Sequence, residues 1–184
     1  MITVEGVTRK AATLLGFGEE IAAYFDDDDE RAKNKAELLL TCFQLIENEL
    51  SLDYLPLYGE ESVKPSLGRV YYSNLSSPVV RIVRVTDLDG NPVKYRLFPA
   101  YIETDLAEVM VLYVYMPADK YFNEEVEHNL AVSERLYAYG MAAEYCTATG
   151  LLEEAAIWDK KYKEVIESAR SLTPCERIRS RRWV

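Results

Sequence analysis

The stretch Val109-Met110-Val111-Leu112-Tyr113-Val114-Tyr115-Met116 decides the fold class, because it is apolar on both alternating faces and Pro117 closes it. Such a run predicts a central strand covered on both sides, the place where helices and strands pack together. Upstream, Val79, Val80, Ile82, Val83 and Val85 form a β-branched run, and Arg81 and Arg84 leave part of it at a wet surface. Asp89-Gly90 then separates that run from Val93-Lys94-Tyr95-Arg96-Leu97-Phe98, which predicts a hairpin. Asp87, Asp89 and Asn91 around Gly90 resemble a calcium loop, but the ligand order and the closing Glu of an EF-hand are missing. Residues 69–116 are thus expected to be antiparallel and β-rich.

Outward from this centre the period changes to that of helices. On the N-terminal side Ala32, Ala36, Leu39, Leu40, Phe43, Ile46 and Leu50 step by three and four, giving one apolar face. Before it, Val4, Val7, Ala11, Leu14 and Leu15 follow the same spacing up to Gly16, and Ile21, Ala22, Tyr24 and Phe25 suggest a short further helix. The acidic run Asp26-Asp27-Asp28-Asp29-Glu30 sits where the N-terminus of the long helix favours negative charge. That capping role is preferred to a metal site, since consecutive side chains diverge. In Leu52-Asp53-Tyr54-Leu55-Pro56-Leu57-Tyr58-Gly59, Pro56 ends the helix, Gly59 marks a turn, and the apolar residues close the helical core. On the C-terminal side Ser133 caps a helix to about Thr149, in which Gly140 implies close approach of another backbone. Gly150 breaks it, and Leu151, Ala155, Trp158, Tyr162, Val165, Ile166 and Ala169 line a last helix that Pro174 stops, making a helical hairpin.

The expected fold is therefore α+β: mainly a helical bundle of two N-terminal and two C-terminal helices, with an inserted antiparallel β-rich region. We expect one domain over residues 1–173, with helices at about 3–51 and 132–171 and the insertion at about 69–116. A basic arm follows at 174–184. The 184 residues, 49% hydrophobic and 28% charged, suffice for a core without disulfides or metals, and they exclude disordered and fibrous classes. No apolar run reaches the length of a membrane span, and Met1 to Gly6 lacks a secretory pattern, so the chain is expected to stay in the compartment where it is made.

The search for chemistry gives mainly exclusions. Cys42, Cys146 and Cys175 lack the spacing of zinc or redox motifs, and the first two read as core residues. His128 is the single histidine; in the polar stretch 123–129 it reads as a surface residue, leaving a nucleophile without its usual base. Gly16-Phe17-Gly18 is no dinucleotide loop, and no phosphate-cradling triplet exists. Glu19-Glu20, Glu60-Glu61 and Glu153-Glu154 suit helix starts and polar faces. No catalytic residue, metal or cofactor is expected. The 14 tyrosines suit half-buried packing or subunit contact, with Tyr54, Leu55 and Tyr58 as candidate contact residues.

Charge points to assembly. The net charge is −10, yet Arg177, Arg179, Arg181 and Arg182 crowd the last eight residues; without those four the rest would stand at −14. Together with Ile178, these arginines and Trp183 have the composition of a partner-docking segment, since a solvated tail gains nothing from an indole. An acidic body disfavours a nucleic-acid grip.

The element order and the C-terminal pair resemble a known family. The pair reads Glu134-Arg135-Leu136-Tyr137-Ala138-Tyr139-Gly140-Met141-Ala142-Ala143-Glu144-Tyr145, then Gly150-Leu151-Leu152-Glu153-Glu154-Ala155-Ala156-Ile157-Trp158-Asp159-Lys160-Lys161-Tyr162. This is similar to the head-to-tail connector (adaptor) proteins of tailed bacteriophages, including the tail tubular protein A type. The resemblance covers most of the chain in order and texture. It implies a non-enzymatic virion protein, made in the bacterial host cytoplasm, forming a homo-oligomeric ring, commonly of twelve copies, beneath the portal. By the same resemblance, helices build the ring, the β part faces the tail protein, the arm Arg177 to Val184 reaches the portal, and DNA passes the lumen without sequence-specific binding. No membrane is involved. Two other readings compete: a cellular module binding a protein or ligand without catalysis, and a hydrolase using carboxylates, which would need a concave site and a raised carboxyl pKa.

Overall fold

The computed structural model describes residues 1–27, 29–128 and 133–172. They form a mixed α+β structure of five α-helices and two three-stranded antiparallel sheets, with three helices rather than the expected two on the N-terminal side because Gly16 and the turn after Asp26 divide that region into separate helices. Helix α1 (Val4–Leu14) starts where the Thr3 hydroxyl accepts the Gly6 N–H at 3.1 Å, and it is followed by Gly16 at φ 86°. Helix α2 (Gly18–Asp26) leads to a 3₁₀ turn, Glu30–Ala32, whose cap is Asp29 accepting the Arg31 N–H. Helix α3 (Lys33–Glu49) continues from it with Ala32 at its own N-cap and no side-chain capping bond, so the capping expected of the acidic run is corrected: Asp29 caps the 3₁₀ turn rather than the long helix. A single π-helical turn, Leu50–Tyr54, ends α3 before Pro56. Helices α4 (Glu134–Ala148) and α5 (Leu152–Leu172) form the hairpin, turning at Gly150 with φ 81°.

These helices share one core. Val4, Val7 and Ala11 of α1, Ala36, Leu39, Phe43 and Ile46 of α3, Leu136, Tyr137 and Met141 of α4, and Tyr162 and Ile166 of α5 are all buried in it. A Cβ on Gly140 would lie 2.8 Å from Ile46 Cδ1 and 3.0 Å from the Tyr162 ring, so the glycine admits side chains from α3 and α5 rather than another backbone. Ser133 precedes α4, but its side chain makes no capping bond. Residues 120–126 act as a strap across the start of α1: Val4 N–H donates to the Glu124 carbonyl, Glu5 N–H to Phe122, and Val126 N–H to Ile2.

Strands β1 (Leu57–Val63), β3 (Val79–Thr86) and β6 (Val109–Tyr115) form one sheet with β6 in the centre, as its apolar sequence predicts. Strands β2 (Arg69–Tyr71), β4 (Arg96–Leu97) and β5 (Tyr101–Glu103) form the other, with β5 in the centre. The buried faces of the two sheets belong to one cluster, Val70 and Ile102 from the smaller sheet with Val85, Val109, Val111 and Tyr113 from the larger. This cluster shares no residue with the helical core. The expectation that β6 packs against helices is therefore corrected for its deepest face, which meets the second sheet; the opposite face is half-buried at Met110 and Leu112 and buried at Val114.

Two further expectations change. Gly59 lies inside β1, not at a turn, and its missing Cβ makes room for the Tyr113 ring, whose Cζ would stand 2.8 Å from it. The strand was hidden because Glu60 and Glu61 break its apolar pattern. The turn at Asp89-Gly90 forms, with Gly90 at φ 85° and Asp87 accepting from the N–H groups of Asp89 and Asn91. The hairpin, however, stops after the Thr86–Pro92 bridge and the Val93 N–H to Val85 bond, and the chain crosses to the other sheet as β4. Pro92 has no N–H with which to extend a ladder.

Candidate functional site

Arg177, Ile178, Arg179, Arg181, Arg182 and Trp183 of the arm lie outside the described residues. Of the candidate subunit contacts, Tyr58 is 57% exposed, Tyr54 packs half-buried against the helical core, and Leu55 is buried within that core. Leu55 is thus spent inside its own chain and is withdrawn as a contact residue.

Leu55 also stands at the seam between the helical core and the strands. Its carbonyl accepts the Nε2–H of His128 at 2.8 Å, while His128 Nδ1 lies 3.3 Å from the Tyr137 hydroxyl. With Nε2 donating, Nδ1 is left to accept the Tyr137 proton, which is the neutral tautomer. The surface reading of His128 is corrected: the residue is 5% exposed, and burial lowers its pKa. Its polar neighbours hid this, because the strap that carries them is pinned over α1 and α3. The histidine ties the exit of α3 to the end of that strap.

Beside it lies a residue that sequence reading missed. Glu47 is 2% exposed and accepts the Glu127 N–H at 2.9 Å. Burial pushes its carboxyl up to about 7, the Glu127 N–H and Lys120 only partly opposing. A signal existed, for Glu47 falls four residues after Phe43 and three before Leu50, on the apolar stripe of α3. Glu49, next along, accepts from the Tyr162 hydroxyl at 3.2 Å, and its pKa too is raised by burial.

The strand side presents different chemistry. Under Gly59, the Tyr113 hydroxyl donates to Glu61, whose carboxylate also accepts the Ser76 N–H and hydroxyl. Burial would raise the pKa of Glu61, but these donors outweigh it and lower the pKa; Tyr113 is pushed up to about 12 by burial and the adjacent carboxylate. On the outer face of the smaller sheet the register places Arg69, Glu103 and Arg96 in one row and Tyr71 beside Tyr101 in the next. Tyr101 stacks on Phe98 with ring centroids 4.7 Å apart, and the Arg69 guanidinium lies 4.8 Å over the Tyr101 ring. The sequence shows these residues singly; only the sheet register brings them together.

Charge divides along the same seam. Residues 57–116 hold six Lys and Arg against seven Asp and Glu, so nearly all of the net −10 lies on the remainder of the chain. Among the described residues no group of three His, Cys, Asp or Glu is placed to hold a metal ion, and no helix is long and apolar enough to cross a membrane. Compared with known proteins, the chain matches no family model and no curated protein by sequence.

Proposed function

We propose that this chain is a structural virion protein, the head-to-tail connector of a tailed bacteriophage. In this reading, copies form a ring that joins the portal to the tail and lets DNA pass. The observation that carries the reading is the arrangement of the two cores. Residues from both sides of the strand segment, Val4 to Leu55 and Val126 to Ile166, share one helical core, and residues 57–116 between them fold around a separate one. This supports a helical bundle with a β insertion, the order that the resemblance implies, with residues 1–173 as one unit and 174–184 as the arm. The helical part supplies the ring wall and the strand part reaches toward the tail protein. Acidic residues on the helices repel phosphate, so DNA slides past without adhering. The arm docks on the portal through Arg177, Ile178, Arg179, Arg181, Arg182 and Trp183, and repetition around the ring multiplies a weak contact.

The test is capture by purified portal rings, imaged by electron microscopy, for the full chain and for a chain lacking residues 174–184. The expected result is a ring on the portal with the full chain and loss of capture on truncation. Equal capture by both chains refutes the arm's role; absence of any ring or portal binding refutes the connector.

A further inference from the structure

The chain exposes two unlike surfaces whose chemistry is complementary, one on each core. The first is the outer face of the smaller sheet. Arg69 there makes no ion pair within 4 Å among the described residues and is steered instead by aromatic rings, lying over Tyr101 beside Tyr71, which is 38% exposed. Arg96 in the same row is 81% exposed and only 3.8 Å from Glu103 at closest. A groove of about 590 Å³ adjoins this row, lined by Lys94, Tyr95, Arg96, Glu103 and Asp105 among others. Tyrosine and arginine held in fixed orientation on a rigid sheet are the residue types that carry protein interfaces.

The second surface is the tip of the α4–α5 hairpin. Leu151, Leu152 and Ile157 are 46%, 68% and 58% exposed around the Gly150 turn. Glu153 and Glu154 stand among them in the first turn of α5, exposed and without an ion pair among the described residues. The helix dipole accounts for the acids but not for three uncovered aliphatic side chains beside them.

We infer that the Arg69–Tyr71–Tyr101–Arg96 face of one copy receives the Leu151–Leu152–Glu153–Glu154–Ile157 tip of the next. Carboxylates meet the two arginines, and the leucines cover the tyrosines. Different surfaces meet, so the contact is heterologous and repeats head to tail, closing into a ring when the rotation closes. The inference rests on the ring of the proposed function and adds to its helical wall a strand-to-helix contact between neighbouring copies. Single-stranded nucleic acid is the less suitable occupant: Tyr101 already stacks on Phe98 under Arg69 and offers a base little open ring, and Glu103 sits between the arginines.

The experiment uses charge reversal in the full-length chain, with assembly followed by sedimentation velocity and native mass spectrometry. Arg69→Glu alone, and Glu153→Arg with Glu154→Arg, should each raise the concentration needed for assembly at least ~10-fold. An equimolar mixture of the two variants should recover heterologous pairing, and so should the chain carrying all three reversals. Circular dichroism melts check that each variant folds, and recovery in the triple variant excludes misfolding as the cause. Reversed variants that assemble like the parent overturn the interface while leaving the connector reading intact, as would a triple variant that stays dissociated. A parent chain that remains monomeric and unbound to portal overturns both. Fluorescence anisotropy with a labelled single-stranded oligonucleotide provides the other arm. Binding that Arg69→Glu abolishes while assembly is unchanged overturns the inference in favour of nucleic acid.

Discussion

Replacing Glu47 by Gln should make the protein more stable at pH 8 and change it little at pH 5. The carboxyl is buried, and its pKa stands at about 7 against a usual 4.5. A carboxyl whose pKa is raised on folding contributes its full stabilisation below pH 4.5 and loses it as pH climbs through 7, because above that the folded chain must hold a buried charge. The gap between 4.5 and about 7 corresponds to about 3 kcal/mol. Glutamine retains an oxygen to accept the Glu127 N–H but adds an amide that needs its own partner, which subtracts about 1–2 kcal/mol. We therefore expect the variant to be about 1–2 kcal/mol more stable than the parent at pH 8, and the difference between the two to move by about 2–3 kcal/mol in its favour from pH 5 to pH 8. Urea unfolding at half-unit pH intervals measures this directly, with tryptophan fluorescence and circular dichroism as independent probes. A difference that stays constant across that range, or a parent that gains on the variant as pH rises, would refute the account of Glu47 as a buried, reluctantly ionised acid.

Other outcomes follow from the same packing. Removing the imidazole with His128→Leu leaves the Leu55 carbonyl and the Tyr137 hydroxyl without their partner, and should cost about 2–4 kcal/mol at pH 7 by chemical denaturation. Because burial lowers the pKa of His128, its stabilisation is complete above the usual 6.5 and fades as pH falls through the folded value, so the penalty of His128→Leu should shrink on acidification. Gly140→Ala forces a methyl against Ile46 and Tyr162 and should destabilise by about 1–3 kcal/mol in urea unfolding. Cys42 and Cys146 are buried, and burial pushes the Cys42 thiol up to about 12. Iodoacetamide at pH 8 should label both only after denaturant is added, as read by peptide mass spectrometry.

Helices were the legible part of this chain because their signals are local. Gly16 and Gly150 act within a few residues of themselves, and the three-and-four spacing from Ala32 to Leu50 needs no partner to be recognised. The central strand could be read for the same reason, its eight apolar residues being contiguous. What sequence could not supply was pairing. β1 carries two adjacent glutamates, one exposed and one hydrogen-bonded to a distant tyrosine and serine, so its alternation shows only once Tyr113 and Ser76 are in place. His128 looked wet because charge surrounds it in sequence, yet the groups around it in space are Leu55 and Tyr137. The tyrosine–arginine face likewise exists only through the register of β2, β4 and β5, and the arm that first suggested docking lies outside the described residues.

The nested connectivity also sets an order of events during synthesis. Once Met116 has left the ribosome, every strand is available and the β cluster can close on its own, with its contacts confined to a short span of chain. The first three helices are older but must wait, since Tyr137, Met141, Tyr162 and Ile166, which seal them, emerge only after the strands. Until then their apolar stripes face solvent and invite chaperones or premature association. The nascent protein thus carries a finished middle flanked by unfinished helices, and the older ones are protected only once the α4–α5 hairpin has followed.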